Sequence, residues 1–300
     1  MKYLKQRVQG GAFAVLLIFR LMTGAANHGK ERARRELIMI AVQPLVRPLV
    51  QLCVQLGVNP LWLVGLHGLL ATLAAVFIVL GPAYWTWAGI LLVLRMLLDN
   101  MDGAVARASG QVTLAGRYFD TGTDLITNLL LFIALCFTAN PLLAILAFVL
   151  LTWLLSLDFN LERLYLQPRQ GTRPLLPPAP TPGPPGLLEV SKRLYQLVME
   201  PQDRLIERIE KRRFERIAGR PYGHAPLDWQ LAWFDLFSTA SLVNLGLSTQ
   251  TVLLALLLFL GVPGVYVTLV LCQGALIALV QVWRGLRFRN YLREETANAG

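Results

Sequence analysis

Residues 61–94 read LWLVGLHGLLATLAAVFIVLGPAYWTWAGILLVL, 34 positions without one Asp, Glu, Lys or Arg. A membrane-crossing helix needs about 20 apolar residues, within a range of roughly 17–25. The stretch is too long for one crossing and long enough for two, and Gly81-Pro82 breaks it near its middle. It reads as a helical hairpin with its turn at 81–84. Two further charge-free stretches repeat the pattern. Leu125–Leu157, 33 residues long, divides at Asn140-Pro141, which predicts a turn at 138–141. Leu236–Trp283, 48 residues long, divides at Gly261-Val262-Pro263-Gly264, which predicts a turn at 261–264. Three hairpins make six transmembrane helices and an all-α polytopic membrane protein.

The composition agrees. Of 300 residues, 55% are hydrophobic and 15% charged, with a mean hydropathy of +0.52. That balance excludes a disordered chain, a coiled coil and a disulfide-stapled module, and it argues against an ordinary soluble enzyme. The net charge of +10 raises the question of nucleic acid, but its placement gives another answer. With six spans, every charged residue falls on one side of the membrane, and the opposite side has only uncharged turns. Residues 1–60 alone carry nine basic and two acidic side chains. By the positive-inside rule the charged side is cytoplasmic, in a bacterial-type cytoplasmic membrane, and no nucleic acid is needed. Tyr84, Trp85 and Trp87 beside the first turn suit an aromatic belt at the far interface.

The chain divides into four parts. Residues 1–58 read as cytoplasmic and interfacial helices, with 11–27 interfacial or loosely inserted. Within 37–58, Pro44, Arg47 and Pro48 favour a helix lying on the membrane surface over a straight span. Residues 59–157 hold the first four spans. Residues 158–235 form a polar insertion: a proline-rich spacer between Pro168 and Pro185, then a helical pattern over Leu187–Ala218 broken by Pro201. This pattern reads as a solvated cytoplasmic helix pair, with contact to anionic headgroups as the alternative. Residues 236–300 hold the last two spans and a cytoplasmic tail. His67, inside an apolar span, reads as a helix-packing histidine rather than a ligand.

The chemistry-bearing segment joins the first two hairpins. Asp99 and Asp102 are three apart at the end of the second span, and Asp120 and Asp124 are four apart at the start of the third. Each pair shares a helix face, and Gly116 lies one turn back on the second. Four carboxylates at a membrane boundary are costly and are functional candidates by default. A hard divalent cation, with oxygen ligands, would neutralise them. Gly103 and Ala106 leave room for a ligand against the helix, and Arg107 offers a cationic fork for phosphate. A carboxylate left near an attacking hydroxyl could act as a general base. A divalent-cation channel or carrier would use the same acids as an ion site. Arg95, Arg117, Arg163 and Arg284, near cytoplasmic helix ends, read as positive-inside anchors more readily than as binders of a phosphorylated acceptor.

Residues 99–124 fit DxxDGxxAR, eight residues, then GxxxDxxxD, with every fixed position filled by Asp99, Asp102, Gly103, Ala106, Arg107, Gly116, Asp120 and Asp124. This segment resembles the signature of the CDP-alcohol phosphatidyltransferase family. The resemblance implies a membrane enzyme of phospholipid biosynthesis that moves a phosphatidyl group from CDP-diacylglycerol to a small polar alcohol and releases CMP. A reversed use, CDP-choline or CDP-ethanolamine to diacylglycerol, is the alternative. It further implies two Mg²⁺ or Mn²⁺ ions held by Asp99, Asp102, Asp120 and Asp124. Asp124 would deprotonate the acceptor hydroxyl, and Gly103, Ala106, Arg107 and Gly116 would shape the CDP site. Family members often form homodimers.

Overall fold

A computed structural model describes residues 36–170 and 181–298. The expected helix at 11–27 and most of the proline-rich spacer lie outside these residues. Among the described residues there are ten α-helices, a short 3₁₀ turn at Tyr222–His224, and no strand beyond one isolated bridge between Thr113 and Thr181. The helices are α1 (Leu37–Gln55), α2 (Pro60–Leu80), α3 (Pro82–Ala108), α4 (Leu114–Leu135), α5 (Pro141–Gln170), α6 (Pro185–Ala218), α7 (Leu227–Trp233), α8 (Leu236–Val243), α9 (Leu247–Phe259) and α10 (Val265–Asn298).

The three hairpins are α2/α3, α4/α5 and α9/α10. Each turn falls where the sequence breaks. Gly81 alone separates α2 from α3 and takes φ 104°, a conformation that favours glycine, and Pro82 starts the return helix. Trp85 Nε1 donates to the Ile78 carbonyl (3.2 Å) and pins that turn, while Tyr84 and Trp87 beside it are exposed. At the second turn Asn140 Oδ1 accepts from Leu143 N (3.2 Å), with Pro141 opening α5. The central core joins all three hairpins through Ala74, Ile78, Leu92, Leu135, Leu151 and Val270.

Five stretches are long and apolar enough to cross a membrane: Leu37–Gln55, Pro60–Leu80, Pro141–Arg169, Leu227–Phe259 and Val265–Glu295. The protein is an all-α, multi-pass membrane protein. Neither α3 nor α4 is among the five, because Arg95, Asp99 and Asp102 interrupt one and Asp120 and Asp124 the other. In α4 only residues 125–135 follow the last carboxylate, about 16 Å of helix against a hydrocarbon core of about 30 Å.

Several expectations are corrected. The fifth span, ahead of the turn at 261–264, is divided into α8 and α9. The break accommodates the start of α1: Asn244 Oδ1 accepts from Leu37 N (3.0 Å), and a Cβ on Gly246 would come 1.6 Å from Glu36 Oε1. Helix α1 passes through both Pro44 and Pro48, which lie on its exposed face, while Val46 is buried against Leu63, Met101 and Val105. The break expected at Pro201 does not occur. Pro201 deprives the Leu197 carbonyl of its donor, and Leu197 sits on the exposed face, where water can serve instead.

The insertion is not a solvated pair of helices. Helix α6 packs along α4, α5 and α10. Phe214 of α6 enters a second core with Leu161, Trp233, Phe234 and Phe288. The segment leading into α6 lies against the start of α4, where Leu114 N and Ala115 N donate to the carbonyls of Thr181 and Pro182 (3.1 and 2.9 Å).

Candidate active site

Helices α3 and α4 both pack on α2, and their polar halves meet at the same depth. Thr113 caps α4, its Oγ1 accepting from Gly116 N (3.0 Å), and so sets the register of the following turns. From there, Asp120 faces Asp99 and Asp102 of α3 across His67 of α2. His67 Nε2 lies 4.0 Å from Asp99 Oδ1, 3.5 Å from Asp102 Oδ2 and 3.6 Å from Asp120 Oδ1. The imidazole is 0% exposed, and the Asp120 side chain, at 39%, marks the opening of the site.

Asp124 has a different partner. Its Oδ1 accepts from Arg95 Nη2 (2.6 Å), while Arg95 Nη1 donates to Thr251 Oγ1 of α9 (2.6 Å). Arg95 is fully buried, so it is neither a surface anchor nor open to a substrate phosphate. Arg284 is also fully buried, paired with Glu210 and lying over the Trp233 ring, and Arg163 pairs with Glu207. Three of the four arginines considered from sequence are thus committed to ion pairs between helices. Arg117 is partly buried on α4.

The remaining signature residues line the end of α3 and the start of α4. Gly103 N donates to Asp102 Oδ1, and a Cβ on Gly103 would come 3.2 Å from Arg107 Nη1, so the exposed Arg107 folds back over the glycine. Ala106 is partly buried between them in sequence. A Cβ on Gly116 would stand 3.0 Å from Thr113 Oγ1 and 3.6 Å from Leu61 Cδ2. Both glycines keep the surface beside the acids low.

His67, Asp99, Asp102 and Asp120 form a group of potential metal ligands whose donor atoms all lie within 4.8 Å of one another. Opposite ligands of one divalent ion stand about 4–5 Å apart. The donor set therefore fits such an ion. Sequence reading missed His67 as part of this group, although a signal existed. Reflected through the turn at Gly81, position 67 falls opposite 95, one helical turn before Asp99.

Fold and site together define a multi-pass membrane protein with an acidic centre between its helices. Residues 58–178 match the family model described as CDP-alcohol phosphatidyltransferase, and over this region the chain is similar to that family. Alcohol phosphotransfer in phospholipid biosynthesis is the activity of that family, and the family uses divalent metals. No curated protein and no solved structure matches the chain.

Proposed function

We propose that this protein transfers a phosphatidyl group from CDP-diacylglycerol to the hydroxyl of a small polar alcohol, releasing CMP, on the cytoplasmic face of the membrane. The observation that carries this reading is the complete signature displayed on α3 and α4, both packed on α2, with its acids converging beside an exposed opening. Asp99, Asp102 and Asp120 supply the carboxylates for a Mg²⁺ or Mn²⁺ ion. When bound, the ion supplies electrostatic stabilisation of the phosphate being transferred and of the CMP that leaves. A second ion rests on the family resemblance.

Asp124 takes the proton of the acceptor hydroxyl. Arg95 holds one of its oxygens in a fixed position and leaves the other for the proton. Arg107 and the low surface at Gly103 and Gly116 receive the CDP moiety. The lipid tails of the donor stay in the bilayer beside α2 and α4, whose outward residues Leu69, Leu73, Ile126 and Ile133 are apolar and exposed. Helix α1 lies on the membrane surface. Its contacts with Leu63, Leu97, Met101 and Val105 sit at the signature end of α2 and α3, which supports that placement.

The test supplies purified protein with CDP-diacylglycerol or CDP-choline, Mg²⁺ or Mn²⁺, and a panel of alcohols, and identifies lipid products by mass spectrometry. CMP release from CDP-diacylglycerol, dependent on one alcohol and abolished by chelator, is the expected result. Release from CDP-choline with diacylglycerol alone reverses the direction, and metal flux in proteoliposomes without CMP would replace the enzyme with a carrier.

A further inference from the structure

We propose that the His67 imidazole is a direct ligand of the divalent ion, which makes the centre of this chain a mixed nitrogen and oxygen site rather than an all-carboxylate one. The proposal rests on the metal-dependent reading above and deepens it.

Three observations point the same way. First, His67 is fully buried, and among the described residues neither ring nitrogen has a hydrogen-bond partner. A packing histidine in an apolar helix would give its N–H to a carbonyl or hydroxyl, since buried polar groups are nearly always paired. Second, Nε2 is aimed into the acids, at 3.5–4.0 Å from carboxylate oxygens on two different helices. Those separations are long for N–H···O bonds, which cluster near 2.9 Å, and they suit atoms that share one ion. Third, the backbone brings the ring there. A Cβ on the adjacent Gly68 would come 2.6 Å from Thr123 Cγ2, so α2 and α4 touch at glycine distance beside Asp120.

The ligand set has chemical consequences. Three carboxylates and a neutral imidazole leave less negative charge around a dication than four carboxylates, so the site receives an anionic pyrophosphate more readily. Asp124, paired with Arg95, stands outside the set and is left for proton transfer. A nitrogen ligand also moves preference from Mg²⁺ toward Mn²⁺ and later divalent ions. A protonated His67 acting only as counter-charge to the acids would give none of these properties.

The experiment is pulsed electron paramagnetic resonance of Mn²⁺ bound to the full-length protein. Nitrogen coupling from a coordinated imidazole is expected, with a changed pattern when histidine is isotopically labelled. The coupling should persist in a His28→Gln/His224→Gln double variant, where His67 is the sole histidine. In His67→Gln it should vanish, with Mn²⁺ affinity reduced by about tenfold or more. Bound Mn²⁺ without nitrogen coupling overturns the proposal and leaves the metal-dependent reading intact. Coupling lost in the double variant, or retained in His67→Gln, also overturns it. Failure of the wild type to bind Mn²⁺ overturns both. The double variant decides the matter even if His67→Gln does not fold.

Discussion

Arg95 ties the Asp124 side of the site to a helix far along the chain, because its planar fork reaches Asp124 on α4 and Thr251 on α9 at once. Removing one member of a buried ion pair strands the other, at a cost of about 3–5 kcal/mol. Arg95→Met should therefore destabilise the protein by about that amount in detergent, read as a lowered unfolding midpoint. Combining it with Asp124→Asn should recover much of the stability while CMP release stays lower by about 10²-fold or more. Stability that does not return would mean that Arg95 matters through Thr251 or packing, not through Asp124. The pair itself was not legible from sequence. Arg95 reads as an anchor because basic residues at helix ends usually are. Only the packing of α3 and α4 on α2 brings its charge onto Asp124, 29 positions later. The four acids were legible, since their spacing alone puts each pair on one helix face.

Helix contacts carry the next level. The close approach of α2 and α4 at Gly68 and Thr123 leaves no room for a methyl group. Gly68→Ala should cost about 1–3 kcal/mol by overpacking and reduce metal affinity, and adding Thr123→Ser, which removes the clashing Cγ2, should restore both. Unchanged melting and metal binding in Gly68→Ala would show that the interface yields freely. Docking of α6 is governed by charge. Burial raises the Glu207 carboxyl, but the hydrogen bond from Lys211 and the charge of Arg163 outweigh it and hold the group below the ordinary glutamate range. Tyr222, itself pushed up to about 12 by burial, is the other titratable neighbour that senses Glu207. A carboxyl held low in the folded chain contributes stability above its unfolded pKa, and that contribution is lost as pH falls through the folded value. Asp203, raised by burial despite bonds from Tyr195 and Asn160, has the opposite sign and loses its contribution as pH rises through the raised value. Amide exchange in α6 should accordingly quicken on acidification below the glutamate range. Glu207→Gln should show faster exchange already at neutral pH, with a weaker acid response. The hairpins themselves were legible, because Gly81-Pro82, Asn140-Pro141 and Gly261–Gly264 interrupt runs that have no other punctuation. The continuity and docking of α6 were not, because an isolated Pro201 argues for a break and only tertiary contacts supply the face that α6 buries.

At the scale of the molecule, charge and hydropathy together define an orientation. Gln111, in the loop between α3 and α4, and Val262, in the turn before α10, are both exposed and fall on opposite sides of the proposed six-span arrangement. With Cys53, Cys136 and Cys272 replaced, a cysteine at 262 should react with impermeant maleimide in intact cells. One at 111 should react only after permeabilisation, and the reverse pattern would invert the topology. The short apolar remainder of α4 then acquires a meaning for the surrounding lipid. With residues 125–135 alone left to meet hydrocarbon on that helix, the leaflet beside its polar half must thin or admit water. In the proposed reaction the protein would bring the aqueous phase down to the phosphate of its donor instead of drawing that lipid upward. The acyl chains of the proposed donor would remain in the leaflet throughout, and turnover would become sensitive to how readily the host bilayer deforms.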